Sequence, residues 1–206
     1  YYAVLLLSAL GAILLAGASD TLELVVAVLL SSVTGYTLAA YHRDWSLSVE
    51  AGMKYFLVGA FANALLVIGV VLLYGLVGDT DYAVTQERLA EGADPVVLLP
   101  ALAFLVVGLA FKLGAFPAHA WMPDVAEGSP APAAAFLTVA PKVGAAVALA
   151  RFLELLPADL IPWRALLAFL AVATMTLGNL AALWQDDVRR LLGWSSVSQS
   201  GYALMA

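Results

Sequence analysis

Apolar residues run through this chain in long blocks, and polar residues gather in the gaps between them. The blocks at 1–17, 22–41, 49–77, 95–117, 133–156 and 163–184 approach or exceed the roughly 20 residues that a helix needs to cross a hydrocarbon layer. A seventh block opens after "QDDVRR" (185–190) and is truncated. The gaps hold turn and interface residues: "ASD" at 18–20, "HRDWSLS" at 42–48 with Trp45, the proline-rich "PDVAEGSPAP" at 123–132, and "PADLIP" at 157–162. The one long gap, 78–94, is acidic and punctuated by glycine, which predicts an extramembrane loop. The pattern predicts an all-α, polytopic transmembrane helix bundle, a single domain over 1–206.

Composition strengthens that reading. The 206 residues are 64% hydrophobic and 12% charged, with a mean hydropathy of +0.97. A soluble domain is nearer half apolar and a quarter charged. The net charge of −6 comes mostly from the gaps, and no basic run suggests nucleic acid. Without cysteine there is no disulfide, haem attachment or thiolate metal site, and two histidines, His42 and His119, make no convincing metal site. The first residue is Tyr1 and the last block stops at "SGYALMA", as expected of an internal piece of a longer protein. Alternating the gaps puts Arg43, Lys54, Arg189 and Arg190 on one side and Arg88, Arg151 and Arg164 on the other. The excess of one leans the first side toward the cytoplasm. No internal repeat is visible in the residues.

Against this apolar background two lysines stand out. Lys112 follows a dozen or more apolar residues, and Lys142 lies in "FLTVAPKVGAAV". A lysine at the centre of a bilayer costs ~2.5–3.5 kcal/mol on insertion scales, so such a residue faces the bundle interior or a wet cavity. Burial disfavours the ammonium form, which suits a group that must release and regain a proton. Each lysine lies near a proline, Pro117 or Pro141, and proline in a helix frees a backbone carbonyl that neighbours or water must satisfy. Two buried lysines beside two helix breaks suggest steps of a proton path. For either lysine alone, a structural ion pair is the plainer alternative. His119 reads equally as a relay beyond the Pro117 break or as an interfacial residue beside Trp121. Glu50 and Lys54, one turn apart, suit a helix-end salt bridge. Asp124, Asp186 and Asp187 suit caps or interface anchors, and Ser195, Ser196, Ser198 and Gln199 suit polar packing between helices. No nucleotide loop, metal-ligand cluster or nucleophile–base pair appears.

The stretch "FKLGAFPAHAWMPDVAEGSPAPAAAFLTVAPKVG" resembles the central signature of the antiporter-like membrane subunits of respiratory complex I and of Mrp-type cation/proton antiporters. "SVEAGMKYFLVGA" and "GNLAALWQDDVRRLLGWSSVSQSGY" are similar to the N-type branch of NADH–quinone oxidoreductase subunits. The resemblance extends over essentially the whole chain. It implies most of one inverted repeat plus the start of the second, with proline-broken helices. It also implies a non-redox, proton-conducting subunit of a respiratory, electron-transport-coupled translocase. Lys112 would be the central-helix lysine and Lys142 the next along the path, with Glu50 and Lys54 at charged positions of the third span. No cofactor is expected on this chain; NADH and quinone would be used by partner subunits. The expected partners are other membrane subunits of such an assembly, the lipid bilayer, and protons or, in an Mrp-like alternative, sodium. The expected location is a prokaryotic cell membrane rather than an organelle inner membrane. A non-conducting scaffold subunit is the alternative of a different class.

Two positions depart from the family pattern. The family glutamate of the second span, which modulates the central lysine, falls on Leu29 when counted without gaps from Asp20 or from Lys54, while Ser32 and Tyr36 fit. Glu23, six residues earlier, is the possible substitute carboxylate, with Glu50 another. Gln199 stands where N-type subunits more often carry histidine, and an amide does not titrate.

Overall fold

The computed structural model describes residues 1–156 and 163–205, and the expected connection at 157–162 lies outside the described residues. The apolar blocks become helices α1 (Tyr2–Gly17), α2 (Thr21–Ala39), α3 (Ser46–Val77), α5 (Pro95–Leu113), α8 (Ala140–Glu154), α9 (Trp163–Ala182) and α10 (Val188–Ala203). Shorter helices α4 (Tyr82–Glu91), α6 (Trp121–Gly128) and α7 (Ala131–Leu137) fill the intervals. Among the described residues, five units are long and apolar enough to cross a membrane: α2, α3, α5, α7 with α8 (Ala131–Glu154), and α9. Large apolar side chains such as Leu6, Ile13, Val26, Phe61, Val71, Phe169 and Val172 lie exposed around the bundle. That is a lipid-facing surface, and the chain is an integral, multi-pass membrane protein.

Aspartates start four of the helices. The carboxylates of Asp20, Asp81, Asp94 and Asp187 accept backbone N–H bonds in the first turns of α2, α4, α5 and α10. Pro95 follows Asp94 at a position where its missing N–H costs nothing. The long gap differs from the plain loop expected over 78–94, because α4 occupies its middle. Tyr82, Thr85 and Leu89 recur at helical spacing and are buried, which lays α4 over one end of the bundle. Two backbone bonds, Thr21 N–H to Thr80 O (2.9 Å) and Tyr82 N–H to Ser19 O (3.0 Å), tie its start to the α1–α2 turn. At the same end Arg151 donates to Ala16 O at the C-terminus of α1 (3.1 Å).

Helix α3 packs against α2, α5 and α6; α1 packs against α2 and α8; α9 packs against α10, which in turn meets α6. The pairs α1–α2 and α9–α10 are built alike. A Cβ on Gly11 of α1 would lie 2.7, 2.9 and 3.0 Å from N, Cα and Cβ of Ser31 in α2, and a Cβ on Gly178 of α9 would meet the same atoms of Ser198 in α10 at the same distances. Only glycine permits that approach. Gly11 stands nine residues before Asp20 and twenty before Ser31; Gly178 stands nine before Asp187 and twenty before Ser198. The two helix pairs therefore repeat one local arrangement.

Candidate functional site

The helices are interrupted near Pro117 and near Pro141, and in neither place does the helix edge coincide with the proline. Helix α5 ends four residues before Pro117, because Gly114 takes φ +66° and Ala115 N–H reaches back to Ala110 O (2.8 Å), a glycine-terminated Schellman turn. Pro117 lies in the irregular stretch that follows, after a cis Phe116–Pro117 bond. In the second break α7 ends at Leu137, and Pro141 sits in the first turn of α8. Pro141 thus begins a helix rather than interrupting one.

Backbone groups freed by the breaks are satisfied from neighbouring helices, as a membrane interior demands. Trp121 Nε1 donates to Phe111 O (3.1 Å), and Phe116 N–H donates to Thr174 Oγ1 of α9 (3.0 Å). Ser200 Oγ of α10 donates to Leu113 O (2.5 Å), the last carbonyl of α5. Ser196 Oγ, one turn earlier on α10, donates to Thr138 O at the end of α7 (3.2 Å).

Lys112 lies in the last turn of α5 and is 1% exposed. Its Nζ donates to Ser31 Oγ at 3.2 Å, and the Phe111 ring lies 5.8 Å away. Lys142 lies in the first turn of α8 and is half-buried. Its Nζ donates to Ser196 O (2.6 Å), Ser196 Oγ (2.6 Å) and Ser200 Oγ (2.8 Å). It also borders a cavity of about 650 Å³ shared with Thr138, Ser195 and Gln199. A Cβ built on Gly114 would sit 3.7 Å from Lys142 Nζ, so this amine reaches the end of the helix that carries Lys112.

The remaining candidates lie elsewhere. Glu23 Oε2 accepts from Ser19 N–H (3.1 Å), closing the turn at the start of α2, and is not brought to Lys112. Eight residues separate it from Ser31, about 12 Å of helix. Leu29 is 39% exposed on the outer face of α2. Glu50 and Lys54 pair at 2.7 Å on the surface, and Lys54 is 3.4 Å from Asp124. Arg190 bridges Asp124 (2.7 Å) and Glu127 (2.8 Å), and Arg189 donates to Ser129 O. This network joins α3, α6 and α10 at the bundle end opposite α4. Between it and Lys112 pack Tyr55, Trp121 and Phe111; Tyr55 and Trp121 stack at 4.1 Å. His119 lies in the first break with its ring 5.7 Å from Trp194, and its buried Nδ1 has no partner among the described residues.

Sequence reasoning missed Ser31 and Ser200, which with Ser196 supply the hydroxyls that meet the two amines. The signal for Ser31 was its interval from Gly11, repeated at Gly178 and Ser198.

Comparison with known proteins agrees with this architecture. The family model described as "NADH:quinone oxidoreductase/Mrp antiporter, TM" matches residues 18–206. The chain is 48% identical over 204 residues to "NADH-quinone oxidoreductase subunit N" of Mycobacterium sp. (strain JLS), covering 99% of this chain and 43% of that one. Among solved structures, a chain of respiratory complex I from Thermus thermophilus superposes with TM-score 0.83 at 36% identity, covering 98% of this chain and 43% of its own. A chain of the membrane-bound sulfane sulfur reductase, an archaeal respiratory membrane complex, superposes with TM-score 0.88 at 32% identity over 98% and 41%. The chain therefore spans less than half the length of the relatives it matches.

Proposed function

The chain belongs to the NADH:quinone oxidoreductase/Mrp antiporter transmembrane family, and from that premise we propose that it conducts protons as part of an N-type subunit of a respiratory NADH–quinone oxidoreductase. Redox chemistry belongs to partner subunits that use NADH and quinone; this chain supplies a proton path within the membrane part of a prokaryotic complex. The observation that carries the reading is the placement of Lys112 in the last turn of α5 and of Lys142 in the first turn of α8, each beside a helix break and each bonded to serine from a neighbouring helix. An amine at such a place can change protonation state without unfolding a helix, because the break is already satisfied by Trp121, Thr174 and the α10 serines. In this reading Lys112 stores and releases the proton, Lys142 passes it laterally, and His119, with its unpartnered nitrogen, connects the first break to one surface. Glu50 and Lys54 act with Asp124 and Arg190 as a surface ion network rather than as carriers.

The test compares wild type with Lys112→Ala in the full-length subunit, assembled in its complex and reconstituted in vesicles, by protons moved per electron. The expected result is a loss of at least two-fold in that ratio with the complex present in normal amount. An unchanged ratio would instead favour a scaffold role, for which Leu29 at the family's glutamate position is the specific support.

A further inference from the structure

Helix α10 sends one hydroxyl into each break. Ser196 and Ser200 are a turn apart; one donates to the end of α7, the other to the end of α5, and Lys142 Nζ donates to both. A serine hydroxyl has a single proton and two lone pairs. With Lys142 as an ammonium, Ser200 accepts from Nζ and its one proton is left to donate, to Leu113 O at 2.5 Å in preference to Ser196 O of its own helix at 3.0 Å. A neutral amine presents a lone pair toward the same hydroxyl and calls for a donor instead.

We propose that Ser200 is a positioning residue that couples the two lysines, its hydroxyl proton pointing to the Leu113 carbonyl when Lys142 is charged and to Lys142 Nζ when Lys142 is neutral. This rests on the proton-conducting reading and deepens it. The step balances: one proton leaves Nζ for water in the cavity lined by Gln199 and Thr138, and the Ser200 O–H rotates to donate to the vacated lone pair. No other bond is made or broken. The rotation removes the Ser200 donor from Leu113 O, the last carbonyl of the turn in which Lys112 lies. A buried carbonyl that loses its donor is disfavoured, and that shifts the balance of a neighbouring buried group. Protonation of Lys142 is thereby felt one residue from Lys112, with no direct contact between the amines.

The experiment uses the complete complex in vesicles and reads protons per electron for Ser200→Ala, Ser200→Thr, Lys142→Ala and the Ser200→Ala/Lys142→Ala double variant, with Lys112→Ala alongside. The coupling predicts at least a two-fold loss for Ser200→Ala at normal assembly, restoration by Ser200→Thr, and no further loss when Ser200→Ala is added to Lys142→Ala. Should Ser200→Thr not assemble, Ser200→Cys, close to serine in size and still a weak donor, is expected to fall between wild type and Ser200→Ala. A wild-type ratio in Ser200→Ala, a Thr variant that assembles but fails to restore the ratio, or an additive loss in the double variant would each overturn it. If Lys112→Ala keeps the wild-type ratio, the proton-conducting reading itself fails and takes the coupling with it. A normal Ser200→Ala beside a defective Lys112→Ala defeats the coupling alone.

Discussion

Lys112 and Lys142 are the same residue type in the same bundle, yet they are held by opposite devices. Lys112 ends a helix, where the backbone dipole favours a cation, and meets one hydroxyl and the face of one ring. Lys142 begins a helix, where that dipole opposes a cation, and meets three oxygens that match the three N–H donors of an ammonium. One is sealed; the other opens on a cavity. The contrast teaches that a charged side chain in an apolar bundle can be accommodated by the end of a helix or by a cage of two hydroxyls and a carbonyl. The two solutions leave different groups stranded when the lysine is removed.

The comparison is sharpened most by methionine, which keeps the length of lysine without its charge. Lys142→Met leaves three oxygens without their donor and is expected to destabilise the assembled complex by about 1–3 kcal/mol. Lys112→Met strands only Ser31 and relieves a buried amine with few partners, so stability should hold or rise. Thermal inactivation of the purified complex measures both, and equal losses would break the contrast. A smaller effect is expected from Ser31→Ala. It removes the hydroxyl that meets Lys112 and should cost about 1 kcal/mol in the same assay, while Ser31→Thr should cost less. The smallest effect is expected outside the membrane. The Asp20 carboxyl is held below the usual carboxylate range, chiefly because Thr80 Oγ1 donates to it at 2.5 Å, helped by the N–H groups of Leu22 and Glu23. Its contribution is present above the unfolded-state value of about 3.9 and is lost as pH falls through the lower folded-state value. Amide exchange at Thr21 and Tyr82, corrected for intrinsic rate, should therefore accelerate only below about pH 4. Asp20→Asn should flatten that dependence.

Much of this was legible in the residues because a bilayer makes the code coarse. Apolar blocks gave the spans, and a lysine in such a block is conspicuous wherever it falls, so Lys112 and Lys142 were found without a structure. The prolines marked the breaks but not their edges, since Gly114 ends α5 before Pro117 and Pro141 is suited to starting α8. Helix α4 was hidden because its ten residues bury only Tyr82, Thr85 and Leu89, a stripe too short to stand out among acids and glycines. Ser31, Ser196 and Ser200 were illegible as partners for another reason. Serine is common in packed membrane helices, and which serine meets which amine depends on how helices cross.

Helix α3 spans 32 residues, about 48 Å, while the hydrocarbon layer is about 30 Å thick. Such a rod tilts, or stands out of the lipid at an end. Its first turns bear Glu50 and Lys54, paired to α6 and through Asp124 to α10; its last turns run up to the Gly78 bend before α4. Between those ends it lies along α5, so it touches the elements at both water-facing ends of the bundle and the helix that carries Lys112. One unbroken helix thus joins the two water-facing ends of the bundle, with the buried amine at its flank.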